Sequence, residues 1–159
     1  MINKEEFKIV PMNERSIPEI LDLAEAARLA QWSYEDYRAE LMLENSLTIQ
    51  IEDNQNNNIA GFMVMRLITS TNTNEYSQAD ILNIAVSHKY RKRGVGSQLI
   101  LKGIKEAAKQ GPSLIWLEVR RSNAAAISFY EKHGFRVEYD RKNFYTEPIE
   151  DALVMKREV

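Results

Sequence analysis

The stretch from Ala79 to Arg120 limits the possible folds more than any other part of this chain. It opens with ADILNIAVS, an apolar run that reads as a strand with buried character on both faces. A basic glycine turn, RKRGVG, follows from Arg91. A helix is then expected from about Gly94 to Lys109, with Val95, Leu99, Ile100, Ile104 and Ala107 on its inward stripe and Gly111 and Pro112 to stop it. SLIWLEVR is a second apolar strand. A strand, a crossover helix and a strand imply two parallel neighbours joined right-handedly, which places the chain among α/β proteins.

The flanking segments extend this unit in both directions. Phe7 to Met12 alternates weakly and reads as a first strand ending near Pro11. Ser16 with Glu19 has the spacing of a capping box, Pro18 suits a first turn, and Ile17, Ile20, Leu21, Ala24 and Ala27 repeat at helical intervals. Ser33 opens a second helix with Tyr34, Tyr37, Arg38 and Leu41 on one face. From Leu47 the period falls to two, and the polar turn DNQNNN joins that run to IAGFMVMRL as a hairpin. Residues 69–78, TSTNTNEYSQ, read as a loop because short polar side chains compete for backbone hydrogen bonds. After the parallel pair, Ser122 or Asn123 caps a helix ending at Gly134, and two strands follow near FRVEYD and DALVMKRE. The expectation is one domain over residues 1–159, with a mixed central sheet of about seven strands and four helices.

Composition narrows the chemistry. A formal net charge of −2 over 159 residues gives no general pull toward nucleic acid or anionic membrane, so an anion site must come from local arrangement. There are no cysteines, which excludes disulfides, thiolate metal sites and a cysteine nucleophile and suits a cytoplasmic protein without a leader. No apolar run approaches the roughly 18 residues that span a bilayer. His88 and His133 lack companions at ligand spacing, so no metal is expected. Trp32 and Trp116 read as core.

The glycine turn is the local arrangement in question. A turn running into a helix start aims unpaired N–H groups and the positive end of the helix dipole at one point, a cradle for phosphate. Glycine at 94 and 96 lets the backbone approach closely, and Arg91, Lys92 and Arg93 add charge. A dinucleotide-binding fold would use a similar turn and an acidic residue near Glu118. Its third small residue is replaced by Leu99, however, and only one further strand and helix unit follows.

Arg91 to Gly96 resembles the acyl-coenzyme A signature of the Gcn5-related N-acetyltransferases (GNAT). LNIAVS before it and WLEVRRSNAAAISFYEKHGF after it resemble the bacterial ribosomal-protein alanine N-acetyltransferases, as do RKNFY, EDALVM and QWS at residues 31–33. The resemblance covers nearly the whole chain and implies the GNAT acyl-CoA N-acyltransferase fold. It implies that the diphosphate of acetyl-CoA lies on the backbone of Lys92, Arg93, Gly94, Val95, Gly96 and Ser97, with Arg91, Lys92 and Arg93 adding charge-assisted contacts. The pantetheine arm would then pair along Ile84, Ala85 and Val86, and Asn123 would hold the cofactor. By the same similarity Glu118 is the general base, acting through water, and Tyr130 protonates the coenzyme A sulfur. With no cysteine for an acetyl-enzyme, direct attack in a ternary complex is the expected route.

The implied acceptor is a protein N-terminus, the alanine of a small-subunit ribosomal protein. An α-amino group, with a pKa of about 7.7–8.0 against about 10.4 for lysine, offers far more neutral nucleophile near pH 7. Glu35, Asp36, Glu40, Glu147, Glu150 and Asp151 are candidates for an acidic rim that receives a basic tail. Gln31, Arg121 and Phe144 depart from the subfamily pattern on the acceptor side. An internal lysine, a small-molecule amine, or a silent acetyl-CoA sensor therefore stand as alternatives.

Overall fold

The computed structural model describes residues 5–159. The elements are β1 (Phe7–Pro11), α1 (Ile17–Ala26), α2 (Tyr34–Leu41), β2 (Ser46–Asp53), β3 (Ile59–Thr69), β4 (Tyr76–Val86), α3 (Val95–Gln110), β5 (Leu114–Arg120), α4 (Ala124–Lys132), β6 (Arg136–Thr146) and β7 (Ile149–Glu158). The strands form one seven-stranded sheet in the order β1-β2-β3-β4-β5-β7-β6. It is mixed: β4 and β5 are parallel, while the β1/β2, β2/β3, β5/β7 and β6/β7 pairs are antiparallel. The expected order of seven strands and four helices is therefore the observed one.

Two compact units divide the chain, Met1–Arg66 with Asn83–Gly103, and Leu67–Leu82 with Ile104–Val159. In the first, Ile17, Ile20, Phe62, Met63, Leu99 and Ile100 are fully buried. Tyr37 from α2 meets Trp32 at 5.1 Å and Phe62 at 6.0 Å between ring centres. Glu40, 2% exposed, is paired with Arg66, whose Nε donates to Glu40 Oε1 at 3.0 Å. Gly61 lies where no side chain fits, because a Cβ there would stand 2.9 Å from the Ala85 carbonyl oxygen and 3.0 Å from Val95 Cγ1. The close approach of β3, β4 and the start of α3 depends on that missing atom.

In the second unit the parallel ladder runs from Gln78 opposite Leu114 to Ile81 opposite Leu117, one residue short of Glu118. β5 continues against β7 as far as Arg120 opposite Ala152. β6 pairs with β7 through two irregularities, and at the second, four steps of β6 from Arg141 to Tyr145 run opposite two steps of β7 from Ala152 to Glu150. The extra backbone bends the strand and re-aims its side chains.

Several local expectations are corrected. Ser16 makes no side-chain cap to α1, and Glu19 instead accepts from Ile59 N–H at 2.9 Å, so tertiary pairing overrides the capping box. The box that does form is at α2, where Asp36 N–H donates to Ser33 Oγ at 3.1 Å and Ser33 N–H donates to Asp36 Oδ2 at 2.7 Å. The loop after β3 is shorter than 69–78, because Ser70 N–H bonds to the Glu75 carbonyl at 2.9 Å and β4 begins at Tyr76. Along β4, buried and half-buried residues alternate, in place of burial on both faces. β6 takes in the whole of RKNFY.

Candidate active site

The glycine turn is anchored from below. Ser87 N–H donates to the Ala60 carbonyl at 2.8 Å, and a 3-10 turn over His88–Tyr90 brings Tyr90 into the core, 2% exposed. The Tyr90 hydroxyl donates to Asp53 Oδ2 at 2.8 Å, and Phe7 meets the Tyr90 ring edge-on at 5.8 Å. Asp53 also accepts from Gln55 N–H, and these hydrogen bonds hold its carboxyl below the usual carboxylate range. Above this base Lys92 and Gly94 take left-handed φ values of +59° and +83°. Glycine meets that demand without cost at 94, and Lys92 is a true departure. Gln98 N–H makes a helical bond to the Gly94 carbonyl at 3.1 Å. The N–H groups of Val95, Gly96 and Ser97 thus belong to the first turn, where helix geometry offers no acceptor.

The three basic residues separate. Arg93 pairs with Glu6, and its guanidinium lies 5.0 Å over Phe7 and 5.3 Å over Tyr90, so its side chain anchors the turn and its backbone is what remains for a ligand. Arg91 and Lys92 are exposed. A cavity of about 500 Å³ opens beside α1 at the end of β4, with Val86 and Arg91 in its wall. Ile84 and Val86 are half-buried, whereas Ala85 is buried.

In the second unit the structure gathers Glu118, Tyr130 and a residue the sequence did not single out, Tyr145. Glu118 is half-buried on β5, and Arg141 Nη1 donates to its Oε1 at 2.9 Å. Tyr130 is 8% exposed on α4, with Phe129 at 5.4 Å and Phe135 at 5.9 Å in edge contacts. Burial, followed by the proximity of Tyr145, raises the pKa of its hydroxyl far above the ordinary phenol value, making it a weaker acid. The Tyr145 phenol is pushed up to about 12, by burial first and then by the negative charge of Glu118. Arg120 lies 4.2 Å over the Tyr145 ring and its charge works in the opposite direction. Tyr145 lies within RKNFY, but a single buried tyrosine on a mostly exposed strand has no periodic signal, so nothing in the sequence marked it apart from that motif.

Asn123 caps α4, with its Oδ1 accepting from Ala126 N–H at 3.1 Å. The acidic rim does not stand as expected. Asp36 is bound up in its cap, Glu40 is buried against Arg66, and Glu35 pairs with Arg38 at 3.4 Å. Glu150 accepts from Ser122 N–H at 2.9 Å and from its hydroxyl at 3.0 Å, and these bonds hold its carboxyl below the usual range. Asp151 accepts from Asn143 N–H at 2.9 Å and from Lys142 at 3.0 Å, with the same effect. These carboxylates fix turns and helix starts and are not a bare receiving surface. His133 Nδ1 lies 2.8 Å from the Phe129 carbonyl, and Trp116 is half-buried under Lys156 at 5.2 Å.

A family model for the acetyltransferase (GNAT) family matches residues 17–135, a span holding the glycine turn, Glu118 and Tyr130. The chain belongs to the acetyltransferase (GNAT) family. Among its relatives, the [ribosomal protein bS18]-alanine N-acetyltransferase of Escherichia coli K12 is 36% identical over 152 residues, 91% of this chain and 96% of that protein. The crystal structure of the ribosomal-protein-S18-alanine N-acetyltransferase from Escherichia coli superposes with a TM-score of 0.80 at 31% identity, covering 96% of this chain and 94% of that one. A more distant GNAT-fold structure, Arabidopsis thaliana NAA60 in complex with acetyl-CoA, has a TM-score of 0.83 at 17% identity and covers 96% and 98% of the two chains. At that identity the likeness is one of fold.

Proposed function

We propose that this acetyltransferase moves the acetyl group of acetyl-CoA to the α-amino group of a protein N-terminus, the alanine of a small-subunit ribosomal protein. The observation that carries the reading is the likeness to the bS18-alanine enzyme of Escherichia coli over nearly the full length of both proteins. Residues 1–159 then act as one acetyltransferase domain, since β6 and β7 lie beyond the family match and supply Arg141 and Tyr145. A ribosomal acceptor would put the reaction in the cytoplasm; among the described residues no helix is long and apolar enough to cross a membrane.

The residues at the glycine turn fit a diphosphate. Gly94 has the positive φ, the first-turn N–H groups of Val95, Gly96 and Ser97 have no acceptor within the helix, and Arg91 and Lys92 supply exposed charge nearby. Acetyl-CoA, when bound, supplies the acetyl thioester. Ile84, Ala85 and Val86 would pair with its pantetheine amides, and the Asn123 side-chain amide, whose oxygen is used in the cap, would donate from nitrogen.

The chemistry needs a neutral amine, and Glu118 would accept its proton through a water molecule. The amine nitrogen would bond to the carbonyl carbon as the carbon–sulfur bond breaks, the sulfur leaving with a hydrogen bond and finally a proton from Tyr130. Glu118 then gives up its proton to solvent and the phenolate regains one from solvent, which restores the starting state. The raised pKa of the buried phenol keeps it protonated near neutral pH, while making it a weaker acid toward the departing sulfur. Initial rates measured against acetyl-CoA and a peptide with N-terminal alanine test the route. Intersecting lines are expected for direct attack, and parallel lines, or no turnover, would contradict it.

A further inference from the structure

We infer that Arg141 is a positioning residue for Glu118, holding one oxygen of the carboxylate so that the other is presented for proton transfer. The inference rests on the reading of Glu118 as the general base.

An exposed ion pair is ordinarily worth little, because two long side chains must be ordered to make it. Here the ordering is built into the strand. The bulge between Arg141 and Tyr145 is tied down by Asp151, whose Oδ1 accepts from Asn143 N–H at 2.9 Å and whose Oδ2 accepts from Lys142 at 3.0 Å. Asn143 within the bulge takes a left-handed φ of +52°, and that turn brings Phe144 back over the guanidinium at 4.5 Å. Arg141 is thus held against an aromatic face while its Nη1 reaches Glu118 Oε1 at 2.9 Å. A planar guanidinium stacked in this way fixes direction as well as charge. The bond goes to Oε1 alone, which orients Oε2.

A strut that only stabilised β5 against β6 would behave differently from a residue acting through Glu118, and a double-mutant cycle separates the two. The full chain would be assayed with acetyl-CoA and an N-terminal-alanine peptide, as wild type, E118Q, R141M, R141K and E118Q/R141M. Misplacing a base by about an ångström costs roughly 10- to 100-fold. R141M is expected to lower kcat by that order, with the peptide KM and the acetyl-CoA affinity unchanged. R141K, which keeps the charge without the fork, should recover part of the loss, and R141M should add nothing once Glu118 is glutamine. A wild-type kcat in R141M, or a full further loss in the double variant, would overturn the inference. If R141M melts early, R141K carries the same comparison alone and in the E118Q background. A wild-type rate in E118Q would instead remove the base assignment, whatever R141M does.

Discussion

Tyr130 is the position where packing and the proposed chemistry meet. Its ring is clasped by Phe129 and Phe135, and the pKa of its hydroxyl is pushed upward by burial and by Tyr145. Replacing it with phenylalanine keeps the packing and removes the donor. Tyr130→Phe should therefore lower kcat by about 100-fold or more, in line with loss of a single catalytic donor, while acetyl-CoA titrations and thermal melting stay near wild type. The sign of the acidity shift adds a condition. A raised phenol keeps its proton as pH rises, so the wild-type rate should not fall on the alkaline side through ionisation of Tyr130 up to about pH 10, the ordinary phenol value. Turnover of Tyr130→Phe at the wild-type rate would exclude the residue. Glu118 and Tyr130 were legible because they sit in continuous motifs, WLEVR and SFYEKHGF. Arg141 and Tyr145 also lie in a continuous motif, RKNFY, but their tie to Glu118 was not legible, since it depends on a bulge between two strands distant in sequence from β5.

At the scale of elements, the strand, glycine turn, helix and strand were legible because period and punctuation agree there. The helix runs over Val95–Gln110, and Gly111 beyond it takes a φ of +102°. Where two signals competed, sequence spacing alone chose wrongly. Ser16 with Glu19 has the letters of a capping box, yet Glu19 turns to the backbone of Ile59, while Ser33 with Asp36 makes the box. Gly61 is the clearest case of a constraint that only three dimensions reveal. Within the run IAGFMVMRL it looks like a weak point in a strand, but the Ala85 carbonyl and Val95 fill the space a methyl group would need. Gly61→Ala should destabilise the protein by about 1–3 kcal/mol through overpacking. Because the displaced groups are the end of β4 and the first residue of α3, the same variant should also bind acetyl-CoA more weakly. Calorimetric melting and a cofactor titration would check both, and an unchanged melting temperature would show that the close approach is not required.

For the molecule as a whole, a net charge of −2 hides a division of labour among its carboxylates. Of the six that the sequence offered as a rim for a basic tail, Glu35, Asp36, Glu40, Glu150 and Asp151 are engaged in caps, turns and ion pairs, so electrostatic attraction is a poor basis for acceptor choice. What favours a protein N-terminus is chemical: a pKa of about 7.7–8.0 against about 10.4 gives an α-amine far more neutral nucleophile than lysine near pH 7, so it asks less of a carboxylate base. The fold and the glycine turn were thus readable from sequence, because they are set by local pattern, whereas the acceptor surface is set by which charges the fold consumes. The most direct measurement offers the purified protein acetyl-CoA with two peptides, one bearing a free N-terminal alanine followed by basic residues, the other N-terminally blocked with internal lysines. Mass spectrometry then locates the acetyl group. Acetylation of the free alanine alone is the predicted result, and acetylation of lysine, or of neither peptide, would contradict the proposed function.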